Sequence, residues 1–419
     1  MMTKIERHYG IWLYEERVGS ITLSEGVIRF QLIDSYIHDA NRSVLGLIFE
    51  DDLVAIHRSI MRLPPWFSNL LPEGRLREWI ALEKGVSENR ELDLLLKVGH
   101  DLPGAVRITE AEVGQTVFDA GRREIAVDTD RDNYSKDIWR FSLAGVALKF
   151  SMLRSGERFT SPSIGEGGDW IVKLPDQRYQ NVPLNEFSMM ELARKVGLKV
   201  PEVRLVHRDQ LTDVPDNLWP DLEDMAYAIR RFDRTPSRGL VHIEDFAQVR
   251  GVYPYQKYKG SFETLAALIY RQYDVESLLE FSRRLVFNYL IGNGDAHLKN
   301  WSLIYTDLRR PSLSPAYDLV ATAIYRPTDK PEDLGLKFAK SRSFESFTLG
   351  NFERLERKVN AVGVGLQDTA YEVIQRTLSS WPEIEEILKG SPWLQRSIGQ
   401  GILARASAIL AMPKDKRCG

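Results

Sequence analysis

A single cysteine, Cys418, stands in a chain of 419 residues. No disulfide can form within it, which excludes a stapled secreted framework and leads us to expect a reducing, cytoplasmic setting. Long hydrophobic runs are missing: none approaches the ~18 residues a membrane span needs. No apolar stretch follows the charges of Met1-Met2-Thr3-Lys4-Ile5-Glu6-Arg7-His8, so no secretory leader and no membrane partner are expected. An excess of one charge is missing too. With 56 Lys and Arg against 59 Asp and Glu, the net charge of −3 gives no global field directed at nucleic acid. Internal repeats and low-complexity segments are absent. What remains is 43% hydrophobic and 27% charged, an ordinary globular composition. The length suits about two or three domains, or the lobes of one large unit.

The most informative stretch is Val286-Phe287-Asn288-Tyr289-Leu290-Ile291-Gly292-Asn293-Gly294-Asp295-Ala296-His297-Leu298-Lys299-Asn300. An apolar helix end runs into a Gly-Asn-Gly turn that presents Asp295, His297, Lys299 and Asn300. An apolar strand and a turn lead on to Leu313-Ser314-Pro315-Ala316-Tyr317-Asp318-Leu319. Asp295 precedes Asn300 by five positions, the spacing of Asp and Asn in the catalytic loop of protein kinases. In that chemistry the Asp receives or orients the proton of the attacking hydroxyl, while the Asn and a later Asp hold Mg²⁺ against nucleotide phosphates. Asp318, eighteen residues after Asn300, is the natural second ligand, and hard oxygen donors suit Mg²⁺. No His-Arg precedes Asp295 and no Phe-Gly follows Asp318, so the pattern departs from ordinary eukaryotic kinases.

Gly292–Asn300 (GNGDAHLKN) with Leu313–Leu319 (LSPAYDL) resembles the HipA-type serine/threonine kinase toxins of bacterial type II toxin–antitoxin modules. The resemblance implies an α+β fold: a two-lobed protein-kinase-like architecture related to the phosphatidylinositol kinases, with a small β-rich N-terminal subdomain and a helical C-terminal lobe. The expected divisions are residues 1–112 for the subdomain, 113–235 for the kinase N-lobe and 236–419 for the C-lobe.

Along the chain, short strands are expected at Tyr9–Tyr14, Gly19–Leu23, Val27–Leu32 and Leu45–Phe49. Leu63-Pro64-Pro65-Trp66-Phe67-Ser68-Asn69-Leu70-Leu71-Pro72-Glu73-Gly74 enters extended and opens a helix running to about Glu83. Its Trp66, Phe67, Leu70 and Leu71 read as core, and the segment resembles the family's SNLLPEG stretch. Glu91–Val98 reads as a helix and Asp101-Leu102-Pro103-Gly104 as a turn feeding a strand; residues 110–138 read as a linker.

Phe141-Ser142-Leu143-Ala144-Gly145-Val146-Ala147-Leu148-Lys149 falls where a kinase needs a loop whose backbone N–H groups cradle phosphates. The family's loop runs roughly Ser-x-Ala-Gly-x-Gln-x-Lys. Ser142, Ala144, Gly145 and Lys149 match, and Ala147 replaces the Gln, so backbone contacts from Ala144, Gly145 and Val146 are expected but no side-chain contact from Ala147. By resemblance, Ser142 is an autophosphorylation site; a phosphate of about −1.5 to −2 charge there would repel the ATP phosphates. Gly165–Asp169 reads as a hairpin connection rather than a second cradle.

Trp170-Ile171-Val172-Lys173-Leu174 is an apolar strand with one lysine, which must snorkel or pair. Resemblance to the family's IVKxP strand makes Lys173 the nucleotide lysine. A helix over Asn185–Val196, capped by Asn185 and stopped by Gly197, should bring it an acid; the family's Asn-Glu start favours Glu186, with Glu191 the other candidate. The strand Met225–Arg234 ends at the hinge position. It resembles the family's ERFDR segment with Arg230 in place of the acid, which makes Arg230 and Phe232 backbone neighbours of adenine. In the family the histidine of the catalytic loop lies near the ATP phosphates, so His297 is expected to contact nucleotide, and Lys299 could offset charge on the transferred phosphoryl group. Helices are expected at Ile243–Val249, Phe262–Tyr270, Val275–Tyr289, Glu345–Ala361, Gln367–Thr377, Trp381–Glu386 and Trp393–Met412. The Tyr253–Tyr258 loop reads as packing over the lobe boundary.

Three functions are open at this point. The first is a protein kinase using ATP and Mg²⁺; the resemblance adds a small helix-turn-helix antitoxin that carries most DNA contact, and a protein substrate among translation components, typically an aminoacyl-tRNA synthetase. The second is a metal-dependent phosphoesterase built on Asp295, His297 and Asp318. The third is a catalytically silent binding or repressor-assembly module.

Overall fold

The computed structural model describes residues 7–99, 101–111, 122–126, 148–162, 167–212, 214–327 and 329–411. Among them, strands form three sheets. The first contains β1 (Arg7–Leu13), β2 (Glu16–Ser24), β3 (Val27–Leu32), β4 (Ile56–Ile60), β5 (Val106–Ala111) and β6 (Glu124–Ala126), in the order β5-β1-β2-β3-β4-β6. Its apolar face packs Ile11, Ile21 and Phe30 against Trp66, Phe67, Leu94 and Leu95 in one buried cluster. The second contains β7 (Lys149–Ser155), β8 (Arg158–Thr160), β9 (Trp170–Lys173), β10 (Val203–His207) and β11 (Met225–Arg230), in the order β10-β11-β9-β7-β8. The third is β12 (His242–Asp245), β13 (Ser302–Asp307) and β14 (Arg310–Leu313).

Helices build the rest. Val275–Ile291 is buried along most of its length, most of its apolar residues packed in the core and its buried Arg284 paired with Glu280 at 3.0 Å. Asp274 caps its start by accepting from Ser277 N at 3.0 Å, and Gly292 ends it in the left-handed region at φ 71°. Around it pack Leu366–Ile387, Pro392–Ala411 and Phe262–Tyr270, joined by one continuous core.

Several local expectations are corrected. Leu45–Phe49 is no strand: Leu47–Glu50 is a short helix whose Leu47 N–H donates to Glu244 Oε1 at 3.0 Å, and the strand at this point of the sheet is β4. The segment after the prolines forms two helices, Pro65–Ser68 and Gly74–Glu83, divided at Pro72 and at Gly74 with φ 55°. Ile243–Val249 divides into β12 and the helix Phe246–Val249, because Asp245 caps Gln248 N at 2.8 Å while β12 pairs with β13. Asn185 is not a cap: its helix starts at Val182, and its buried amide donates to Ala321 O at 3.2 Å. Only Gly350–Lys358 of the expected 345–361 helix is α-helical. The two helices expected over 367–386 are one, Leu366–Ile387, which continues through Pro382. Its buried face outweighs the hydrogen bond that the proline removes. β7 and β9 pair as expected, but β8 lies between them in sequence, so residues 167–169 lead from β8 rather than close a β7–β9 hairpin.

The first two sheets are locked by a buried ion cluster. Arg231 Nη1 lies 2.6 Å from Asp101 and Arg231 Nη2 lies 2.7 Å from Asp233. Arg234 pairs with the same two acids at 2.8 and 3.0 Å, and Asp233 also accepts from Gly104 N at 2.8 Å. The Asp101–Gly104 turn and the Arg231–Arg234 segment, separate in sequence, are one interlock.

Candidate active site

Strand β9 delivers Lys173 into a cleft between the second sheet and the long helices. The register sets Lys149 of β7 directly opposite Lys173. The helix Val182–Val196 supplies Glu186, whose Oε1 lies 2.6 Å from Lys173 Nζ. Lys173 also donates to Asp318 Oδ1, bridging two acids. Glu191 turns away to pair with Arg194. Burial pushes Glu186 up to about 7 despite the ammonium beside it. Asp318 is partly exposed; burial alone would raise it, but Lys173 and then Lys149 hold it below the ordinary carboxylate range. It is therefore the ionised acid of the group. Burial alone would lower Lys173, yet Asp318 and Glu186 hold it above the usual lysine value. Lys149 shifts the other way: desolvation by the cleft walls and the Lys173 ammonium lower it, Asp318 opposing. Solvent still reaches its side chain.

The Gly292–Asn300 turn supplies the opposite wall, and Asp295, Asn300 and Asp318 line the same cleft as Lys173 and Glu186. Asn293 is its organiser. Its Oδ1 accepts from Asp295 N at 3.0 Å, while its amide donates to Asn288 Oδ1 at 2.7 Å and to Asp318 O at 3.2 Å. Gly294 N donates to Thr322 Oγ1 at 2.8 Å. Asn300 Nδ2 donates to Asp295 O at 2.8 Å, closing the turn. Asp318 sits at φ 54°, in the left-handed region that residues other than glycine occupy sparsely and that is concentrated at functional sites. Tyr258 donates its hydroxyl to Asp295 Oδ1.

His297 is 2% exposed, and neither ring nitrogen has a hydrogen-bond partner among the described residues; Nε2 is 3.7 Å from Asp295. Burial lowers its pKa to about 4, so the ring is neutral. The ring lies beside the Asp295 carboxylate but, at 2% exposed, is not among the groups that line the cleft.

Lys299 is not placed as expected. Its ammonium donates to Asn69 O at 2.8 Å and lies 3.2 Å from Glu73 and 3.5 Å from Asp245, outside the cleft lining. Acids on neighbouring elements capture the long side chain. At the hinge, the Arg230 N–H is already taken by Glu202 O at 2.9 Å, and the Phe232 ring packs 5.5 Å from that of Tyr317. Ser142, Ala144, Gly145 and Val146 lie outside the described residues. Among the described residues, no group of three or more His, Cys, Asp or Glu is arranged to hold a metal; a phosphoesterase centre of that kind needs such a group.

The sequence did not single out Lys149, Glu73, Tyr258 or Asn293 as parts of this arrangement. Lys149 was discernible as the lysine ending the loop signature. The others depend on contacts as distant as the Glu73–Lys257 pair, 184 residues apart in sequence.

The sequence matches the HipA-like C-terminal domain over residues 141–383 and the HipA N-terminal domain over residues 9–109. The chain therefore belongs to the HipA family of kinases. A Sinorhizobium fredii protein named as a kinase is 43% identical over 378 residues, covering 88% of this chain and 90% of that one. The serine/threonine-protein kinase toxin HipA of Shewanella oneidensis is 28% identical over 290 residues, 61% of this chain and 62% of that one. The structure of Shewanella oneidensis HipA with HipB and operator DNA matches with a TM-score of 0.70 at 20% identity, covering 96% of this chain and 97% of that one. The fold is thus the mixed α+β fold of HipA. No helix among the described residues is long and apolar enough to cross a membrane.

Proposed function

We propose that this chain is a protein serine/threonine kinase that uses ATP and Mg²⁺, and the toxin of a toxin–antitoxin pair. The observation that carries this reading is the convergence of Lys173, Glu186, Asp295, Asn300 and Asp318 on one cleft, from four separate stretches of sequence. In this reading Asp295 orients the acceptor hydroxyl and takes its proton. Lys173 binds the α- and β-phosphates, and Glu186 aims it. His297, beside Asp295, is the proposed nucleotide contact of the turn. Arg230 and Phe232 border the adenine through the backbone groups that Glu202 leaves free, and Ala144, Gly145 and Val146 cover the phosphates.

The donors fit magnesium: an ionised Asp318 carboxylate and the Asn300 amide oxygen are hard ligands, and a Mg²⁺ bound with nucleotide needs few from protein. Asn300 and Asp318 would hold it, and when bound it would neutralise charge on the transferred phosphoryl group. With nucleotide and cation bound, Lys173 would pair with phosphate and Asp318 with the cation, leaving neither charge unpaired.

Ser142 is the proposed autophosphorylation site. Membership of the HipA family, with a fold shared with a HipA bound to HipB and DNA, supports a small helix-turn-helix antitoxin as partner. A translation component, such as an aminoacyl-tRNA synthetase, is the proposed substrate, in a cytoplasmic setting. Incubation with Mg²⁺ and γ-labelled ATP tests the reaction class. Label on protein supports the kinase; release of free phosphate from phosphate monoesters instead indicates a phosphoesterase, and neither outcome indicates a silent module.

A further inference from the structure

The kinase reading leaves unexplained why acids and a tyrosine outside the cleft crowd the back of the catalytic turn. Glu73, between the two helices of the N-terminal segment, lies 2.9 Å from Lys257 and 3.2 Å from Lys299. Burial alone would raise its pKa, but the Lys299 and Lys257 ammonium groups drive it far below the ordinary glutamate value. It is a fixed anion between two cations. Each cation is joined to the catalytic turn. Lys299 is part of it, and its ammonium is further held by the Asn69 carbonyl at 2.8 Å. Lys257 accepts at its carbonyl from Leu298 N at 3.0 Å, so the tyrosine loop and the catalytic turn share a backbone bond. The residue after Lys257 is Tyr258, whose hydroxyl bonds Asp295 Oδ1 and whose ring meets the edge of His297 at 5.1 Å. Arg342 grips the Tyr258 carbonyl from the other side.

We propose that Glu73 and Tyr258 are positioning residues for phosphoryl transfer. Glu73 anchors Lys257 and Lys299, and Tyr258 carries that anchorage to the Asp295 carboxylate. This makes the N-terminal segment a working part of the catalytic apparatus, although none of its side chains lines the cleft. The inference rests on Asp295 being the proton acceptor. Transfer chemistry is sensitive to such placement: an error of about 1 Å can cost on the order of 100-fold in rate. A ligand or partner that pulled Glu73 away would slacken the turn without touching the nucleotide.

The test uses the full chain, with Mg²⁺, γ-labelled ATP and casein as a generic acceptor. Glu73→Gln, Tyr258→Phe and the double variant are compared for kcat, for KM of ATP and for melting temperature. Each single variant is expected to lose about tenfold or more in kcat, with KM for ATP unchanged within about twofold. The double variant should lose little more than the worse single one, because both changes cut one connection. Wild-type kcat in Tyr258→Phe, multiplicative losses in the double variant, or parallel loss of ATP binding and melting temperature would overturn the proposal. A wild-type chain that passes phosphate to neither casein, itself nor water defeats the kinase reading instead, so the two failures are distinguishable.

Discussion

Lys173 Nζ and Glu186 Oε1 lie 2.6 Å apart, with Asp318 on the same ammonium. One buried cation thus serves two acids, and only one of them, Asp318, is held well ionised. This asymmetry makes Glu186 the acid whose charge changes near neutral pH, while Asp318 keeps its own.

Lys173→Met removes the shared cation and leaves Glu186 and Asp318 facing each other, with Lys149 of the neighbouring strand left to offset Asp318. Breaking a buried pair from one side costs about 3–5 kcal/mol. Chemical unfolding should show a loss in that range, together with loss of phosphoryl transfer. Adding Glu186→Gln should restore part of the stability and none of the transfer. A fully stable, active Lys173→Met would refute the assignment.

Glu186 gives a pH signature. Its folded-state value of about 7 lies above its ordinary 4.5. An acid raised in this way contributes stability in full below the unfolded value, and that contribution is lost as pH rises through the folded one. Activity should move oppositely, rising toward pH 7 as ionised Glu186 draws Lys173 from Asp318. In Glu186→Gln both dependences should vanish from this window. Profiles of kcat/KM for ATP and of melting temperature against pH measure the two trends.

The interlock between the first two sheets should be a stability element. Asp101→Ala leaves the buried guanidinium groups of Arg231 and Arg234, whose side chains are 6% and 4% exposed, sharing the single carboxylate of Asp233. A loss of about 3–5 kcal/mol is expected in urea unfolding. A change below about 0.5 kcal/mol, typical of surface positions, would show that Asp101 is dispensable.

Gly294 is fixed by crowding rather than by dihedral angle. A Cβ there would meet Glu332 Cγ and come within 2.5 Å of the Asp333 carbonyl, which is backbone and cannot swing aside. Gly294→Ala should therefore shift the catalytic turn and lower kcat. Kinetics with saturating ATP measure this directly.

Much of this site was legible in sequence because its chemistry is local. Gly292, at φ 71°, ends the helix and opens the turn as a glycine there should, and Lys173 stands out as a charge in an apolar strand. The preference for Glu186 over Glu191 came from resemblance and agrees with the observed pairing. What was not legible depends on distance. Lys299 seemed to face the phosphates because it lies one residue from Asn300, but Asn69, Glu73 and Asp245 hold it behind the turn. β12 was hidden because its apolar spacing continues into the next helix, and only pairing with β13 makes it a strand. Pro382 suggested a helix break that tertiary packing overrides.

We assign proton transfer to Asp295, which lines one cleft with Lys173 and Asp318. Asp295→Asn keeps the shape and removes the charge. Transfer of label from γ-labelled ATP and binding of a non-hydrolysable ATP analogue, measured together on this variant, give the most direct test. Unchanged binding with transfer reduced by at least about 100-fold is predicted; transfer at the wild-type rate would contradict the account.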